Sequence, residues 1–455
     1  MNINRVRKLH SPRMLALACL VVGGLWTSLQ AQTITPASVE RFLDPGASTD
    51  VDKTVGTPAI PPRPDICFLA DTTGSMGAAI GNVIANATTI MNNVIAVQPD
   101  AQFCAAEYRD TGDSPEFAVN QAITDNVAAV AAAIGTWDAG GGGDDLEGQL
   151  HALTELSDPT VAGWRDAPST RIIVWFGDAP GHDPSIGGES LASTIDALVA
   201  EVIRVIAVPV APPVAGGLDA LGQAKAIVSA TGGVLITTVN PDDVTAAILL
   251  GLTNLPVDVS MTSNCAVETG GAVLTSFVPD VVNVISGNDA LFVETITVGP
   301  AAIEGQTYTC QDWALLDGSP MNDAAGNLVV EEKTIHVNDV TPPTAACVQG
   351  PNPGGNVPQA GKTNQDGFFT VLGDDNVEVA SIVICDSESS FCSDPLSSGD
   401  TVKITQTPGG TPRDVRPGPG GITAHIFLNG DGVLTVTDTS GLVTEASCLV
   451  PPPPK

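Results

Sequence analysis

Six consecutive residues of this 455-residue chain combine types and spacing that suit divalent-cation chemistry: Asp71-Thr72-Thr73-Gly74-Ser75-Met76. The apolar run 66–70 leads into them, so a carboxylate (Asp71) and two hydroxyls (Thr73, Ser75) stand at alternate positions on a loop between a strand and a helix. Magnesium takes about six hard oxygen ligands near ~2.1 Å and tolerates little distortion, which short side chains on a tight, glycine-containing loop can satisfy. The plainer alternative is a helix cap, in which Thr73 or Ser75 bonds the free N–H groups of the following helix. Two further loops weigh against it. Gly140 to Gly143 lead into Asp144-Asp145, and Phe176-Gly177-Asp178-Ala179-Pro180 closes the apolar run 171–176. In a parallel sheet, loops at the carboxyl ends of strands converge on one edge.

The elements needed to position these loops are legible around them. Apolar runs at 66–70, 101–108, 171–176, 202–210 and 234–237 predict strands, with a short one near 117–119. Between them, Ile80, Val83, Ile84, Ala87, Met91, Val94 and Ile95 recur at helical spacing. Further helices fit 126–134, 146–156, 190–201, 219–230 and 241–252, the last with Pro241 in its first turn. Such alternation predicts an α/β, doubly wound, mostly parallel sheet of Rossmann-like type between helix layers.

With these residues in place, 65–255 resembles the von Willebrand factor A domain, whose D-x-S-x-S metal-ion-dependent adhesion motif is matched by Asp71-Thr72-Thr73-Gly74-Ser75. The resemblance implies metal ligands at Asp71, Thr73 and Ser75, with Asp178 contributing from the third loop directly or through water. Many family members place a Thr in the second loop after a Gly-Gly pair. Here Asp144 is assigned to that place, which makes the shell more negative. Integrin β subunits, which resemble this domain, carry a paired Asp for a second metal where this chain has Ala78-Ala79; that second site is expected to be absent.

After Pro256 the period changes to two, and Val, Thr, Gly and Asn dominate. Two small all-β, sandwich-like domains are expected, over 256–340 and 341–450. Asp339-Val340-Thr341-Pro342-Pro343 forms a hinge between them, and a Pro-rich tail covers 451–455. Acidic turns at Asp317-Gly318, Asn322-Asp323 and Asp374-Asp375 define no ligand set. Asn429-Gly430-Asp431-Gly432 matches part of a calcium loop and puts Asp438 at its twelfth position. Phe427 occupies the first position, however, so a hairpin turn is the expectation.

At the other end, Arg5, Arg7, Lys8 and Arg13 precede the apolar run 14–26, as in a signal peptide over 1–31, and 32–64 has the Thr/Pro/Asp/Gly mixture of a linker. Removing 1–31 takes four of the 18 basic residues and none of the 51 acidic ones, so the net charge of −33 deepens to −37. Such a field repels nucleic acid and anionic lipid and attracts divalent cations. No later membrane span is expected. Eight cysteines follow the signal, an even number that suits an oxidising compartment. Cys67 and Cys104 are expected to pack as small apolar side chains on neighbouring parallel strands. The preferred pairings for the rest are Cys265–Cys310, Cys385–Cys392 and Cys347–Cys448.

Glu107, Arg109, Asp110 and Asp113 end the second strand near the same edge, as a rim, as a contact behind the metal-binding residues, or as a solvated loop, and His182 with Asp183 reads as loop polarity. No G-x-S-x-G occurs, and the four histidines after residue 31 form no zinc pattern. The expectation is therefore a non-enzymatic, secreted or extracellular (or cell-envelope) binding or adhesion module. Magnesium, or manganese or calcium, would coordinate an acidic group of an extracellular protein or matrix ligand. The alternatives are an envelope or matrix protein with a fold-stabilising metal, and a metal-assisted hydrolase.

Overall fold

The computed structural model describes residues 32–166, 169–323, 325–350, 365–418 and 420–450. The expected signal peptide and Pro-rich tail lie outside the described residues.

The stretch expected to be a linker carries three strands: β1 (Thr33–Thr35), β2 (Ser38–Leu43) and β3 (Ser48–Gly56). Along β3 the side chains of Val51, Lys53 and Val55 turn inward at every second position, a period the Thr- and Asp-rich composition masks. β1 pairs with β3, but the further partner of β3 is β13 and that of β2 is β16, both far away in sequence, so no local turn announces them. The chain then forms an α/β unit before returning to the sheets that β1 to β3 began.

That unit contains β4 (Pro64–Asp71), α1 (Gly77–Val97), β5 (Gln102–Tyr108), β6 (Phe117–Thr124), α2 (Val127–Ile134), α3 (Gln149–Ser157), α4 (Pro159–Ala162), β7 (Thr170–Gly177), α5 (Leu191–Ala200), β8 (Ile203–Pro209), α6 (Gln223–Thr231), β9 (Val234–Leu235) and α7 (Val244–Leu252). The sheet order is β6-β5-β4-β7-β8-β9, with every neighbouring pair parallel except the edge strand β6 on β5. Alternate residues of β4 enter two cores. Ile66, Phe68 and Ala70 pack with α1, α2 and α7, and Cys67 and Leu69 pack with α3 and α6. Burying each large apolar side chain contributes about 1.5–3 kcal/mol, and no face of β4 is left for solvent. By length and composition 74–97 is apolar enough to cross a membrane. Ile80, Val83, Ile90 and Val94 of this helix are instead buried in the first of these cores.

Cys67 and Cys104 depart from expectation. They stand directly opposite each other on β4 and β5 with Cα atoms 4.4 Å apart, and they are disulfide-bonded. In-register placement on one face brings the two Cβ atoms close enough, which outweighs the awkwardness of a bridge between parallel strands. The bonds Cys265–Cys310, Cys347–Cys448 and Cys385–Cys392 follow the preferred pairing.

Beyond α7 come β10 (Pro256–Ser263), the short α8 (Cys265–Glu268), β11 (Val273–Val278), β12 (Val282–Ile285), β13 (Asp289–Val298), β14 (Thr307–Leu316), β15 (Ser319–Pro320) and β16 (Val330–Val337). One sheet runs β1-β3-β13-β11 and the other β12-β10-β14-β16-β2, with β15 on β14. Two apolar clusters draw residues from both sheets. The α/β unit is thus inserted between β3 and β10 of an all-β region, rather than preceding it as a separate N-terminal domain.

The last region holds β17 (Thr344–Gln349), β18 (Gln365–Asp374), β19 (Val379–Asp386), β20 (Thr401–Gln406), β21 (Arg413–Val415), β22 (Ala424–Leu428), β23 (Gly432–Asp438) and β24 (Val443–Cys448). They form a five-stranded and a three-stranded sheet that share one core. β22 and β23 belong to different sheets, so Asn429-Gly430-Asp431 is a crossing turn rather than the expected hairpin.

Candidate metal centre

β4 ends at Asp71, on the carboxyl edge of the sheet, and a single 3-10 turn, Gly74–Met76, connects it to α1. Neither Thr73 nor Ser75 caps a helix: no side-chain capping bond exists at the start of the 3-10 turn or of α1. Their hydroxyls turn to carboxylates instead. Thr73 donates from its backbone N (2.9 Å) and its Oγ1 (2.6 Å) to Asp71 Oδ1, and Ser75 Oγ donates to Asp178 Oδ1 at 3.1 Å. Asp178 directly follows β7, the strand that pairs with β4, so the first and third loops meet as expected.

Asp71 is fully buried, and its Oδ2 has no hydrogen-bond partner. Gly177 leaves room for it. A Cβ at position 177 would lie 3.1 Å from Asp71 Oδ2 and 2.7 Å from the Tyr108 hydroxyl, so only glycine lets β7 approach this closely. Burial of Asp71, with a smaller contribution from the charge of Asp178, pushes its carboxyl up to about 7 against the hydrogen bonds from Thr73. Asp178 is also raised, by burial, with the Ser75 hydrogen bond opposing.

The second loop brings a different carboxylate to the centre from the one assigned by the sequence. Asp144 is exposed, and its Oδ1 accepts from Leu146 N at 2.7 Å, holding a turn ahead of α3. Glu147, three residues on, is buried with Oε2 unpartnered. Burial, followed by the charges of Asp71 and Asp110, pushes its carboxyl up to about 9, with Thr73 hydrogen bonding opposing. Its backbone is pinned to the third loop, since Glu147 N donates to Pro180 O (3.0 Å) and His182 N donates to Glu147 O (3.0 Å). This pinning is why α3 begins at Gln149 instead of 146, and it aims Glu147 inward. The signal in the sequence is faint: an acidic residue at what reads as the first turn of a helix usually serves the helix dipole.

The charged end of β5 supports the loops from behind. Glu107 Oε2 accepts from Thr72 Oγ1 (2.9 Å), while Asp113 Oδ2 and Asp110 Oδ2 accept from Gly142 N (2.8 Å) and Gly143 N (3.2 Å). Arg109 bonds Thr72 Oγ1 and Asp138 O, and His182 Nε2 lies 3.0 Å from Asp110 Oδ1. These residues form a scaffold for the first and second loops rather than a free solvated rim. Among the described residues no Lys, Arg or His forms an ion pair with Asp71, Glu147 or Asp178. Buried carboxylates with orphaned oxygens and no facing cation fit a divalent ion.

The fold is thus a mostly parallel α/β sheet, covered on both faces, with buried carboxylates at its carboxyl edge. Among solved structures, the chain is similar to a von Willebrand factor type A protein from Catenulispora acidiphila, at 13% identity and a TM-score of 0.34, covering 69% of this chain and 76% of that one. Values this low carry no function from one chain to the other. No family model and no curated protein matches the chain.

Proposed function

We propose that the α/β unit is a divalent-cation-dependent binding module of an extracellular protein, resembling a von Willebrand factor A domain. Asp71, Thr73, Ser75, Glu147 and Asp178 would hold magnesium, manganese or calcium, and the ion would supply an open coordination position for a carboxylate or other oxygen donor of a protein or matrix partner. The observation that carries this reading is the pair of buried, unpartnered oxygens, Asp71 Oδ2 and Glu147 Oε2, which among the described residues have no ion-pairing side chain. The two all-β regions, read as sandwich-like, serve as spacers that present the module, and four disulfides together with the signal-like start support export.

Chelation separates this reading from its alternatives. Circular dichroism and retention on immobilised extracellular-matrix extract are measured with and without chelator. The module is expected to keep its fold and lose retention. Melting on chelation would favour a purely fold-stabilising ion, and retention indifferent to chelator would contradict a metal-mediated contact.

A further inference from the structure

A second cluster of carboxylates, on different elements from the first, lies at the joint between the two all-β regions. Asp339 follows β16 at the start of the hinge, Asp375 sits in the turn between β18 and β19, and Asp438 ends β23. One carboxylate oxygen from each lies within 4.8 Å of the others. Glu304, in the β13–β14 loop, hydrogen-bonds to Asp339 and adds a fourth carboxylate. Two of the four come from the region before the hinge and two from the region after it. Among the described residues none of these groups has an ion-pairing Lys, Arg or His.

Their hydrogen bonds leave part of the cluster unsatisfied. Asp438 is 1% exposed. Its Oδ1 accepts from Leu442 N at 2.9 Å, while its Oδ2 is buried with no partner. Asp375 uses Oδ2 for Val377 N (2.8 Å) and Glu378 N (2.9 Å), and its Oδ1 is likewise buried and unpartnered. Asp339 Oδ2 accepts from Ser440 Oγ at 3.2 Å. Glu304 accepts from Val340 N, Thr341 N and Asn376 Nδ2, which fixes it across the hinge. Burial together with the Glu304 contact raises the Asp339 carboxyl.

We infer that Asp339, Asp375 and Asp438, with Glu304 at their edge, form a calcium site that locks the two all-β regions together. Calcium takes six to eight oxygens in flexible geometry and accepts several carboxylates from separate loops, whereas magnesium keeps most of its water and demands a near-octahedral shell. The backbone already brings the two sides together. Val377 packs against Gly305 so closely that a Cβ there would lie 2.5 Å from Val377 Cγ1. The ion adds a charge-compensated tie to a joint whose only covalent link is the Val340-Thr341-Pro342-Pro343 hinge. This site stands independently of the metal centre in the α/β unit.

The test uses the full secreted chain carrying Asp71→Ala, which silences the first centre. Calorimetric titration with calcium is expected to show one saturable site, lost on adding Asp438→Asn and separately lost on adding Asp375→Asn. Both replacements keep shape and remove only charge, and circular dichroism verifies the fold. Small-angle scattering should show a single compact arrangement of the β-regions with calcium and a broader distribution after chelation. Absence of calcium heat in the Asp71→Ala chain would overturn the proposal. So would calcium binding unchanged in both Asn variants, or scattering unmoved by chelation.

Discussion

Two regions of this molecule bury carboxylates, and they deal with the charge in opposite ways. Between the two apolar clusters of the first all-β region lie Lys53, Glu294, Asp312, Glu331 and Lys333, all with fully buried side chains. Lys53 Nζ is 2.9 Å from Glu294 Oε2 and also contacts Glu331. Lys333 Nζ is 2.9 Å from Glu294 Oε1 and 3.0 Å from Glu331 Oε1, and it contacts Asp312. Each carboxylate there has a lysine. The two lysines face three acids, and burial, with Asp312 beside it, pushes Glu294 up to about 7 despite Lys333 and Lys53, so Glu294 takes up the imbalance. At the end of β4, by contrast, Asp71, Glu147 and Asp178 are buried, and among the described residues no lysine or arginine forms an ion pair with them. An internal cation makes a buried charge structural. The lack of one leaves a buried charge that an external cation can satisfy.

The largest expected effect falls on the lysine network. Lys333→Met leaves Asp312 with no counter-charge and leaves Glu294 and Glu331 to share Lys53, and it should destabilise the first all-β region by about 3–5 kcal/mol. Urea unfolding in chelator and in saturating magnesium should give the same loss. A loss that magnesium rescues would erase the contrast between the two regions.

A second effect, read from pH rather than from a substitution, concerns protons at the sheet edge. In chelator, Asp71 at about 7 and Glu147 at about 9 both lie above their ordinary values of 3.8 and 4.5. Raised carboxyls contribute stability that is fully present below the ordinary values and lost as pH climbs through the folded ones. The chelated α/β unit should therefore melt at progressively lower temperature between pH 4 and pH 9. Magnesium binds the deprotonated carboxylates, so the stabilisation it confers should grow over the same interval. Scanning calorimetry across that range checks both trends; a magnesium increment that shrinks with rising pH would contradict the assignment.

Asp144→Thr should have the smallest effect. Asp144 is exposed and bonds Leu146 N, a role that Thr can fill, so manganese affinity measured by titration should be indistinguishable from that of the parent chain. A clear weakening would return Asp144 to the shell and demote Glu147.

The difference between Asp144 and Glu147 also shows how far the sequence could be read. That Asp71, Thr73, Ser75 and Asp178 meet at one sheet edge was legible because their loops directly follow apolar strands, whose ends fix where the next residues point. The second loop follows no strand. Its path depends on the bonds between Glu147 and Pro180 and between Gly143 and Asp110, which join residues distant in sequence. The α/β alternation was readable from local periodicity, whereas β1 to β3 were not, because β3 acquires its meaning from pairing with β13 far downstream. The bond between Cys67 and Cys104 depends similarly on strand register, which composition does not encode. The lysine network escaped notice for the same reason: Lys53, Glu294, Asp312 and Lys333 come from four strands.

Asp71 and Glu147 are proposed to bury their oxygens for a metal. Calorimetric titration of magnesium or manganese into the parent chain, Asp71→Ala and Glu147→Gln tests it most directly. The parent should show one saturable site at the sheet edge, Asp71→Ala should lose it and Glu147→Gln should bind markedly more weakly, with circular dichroism unchanged. Parent-like affinity in both variants would contradict it.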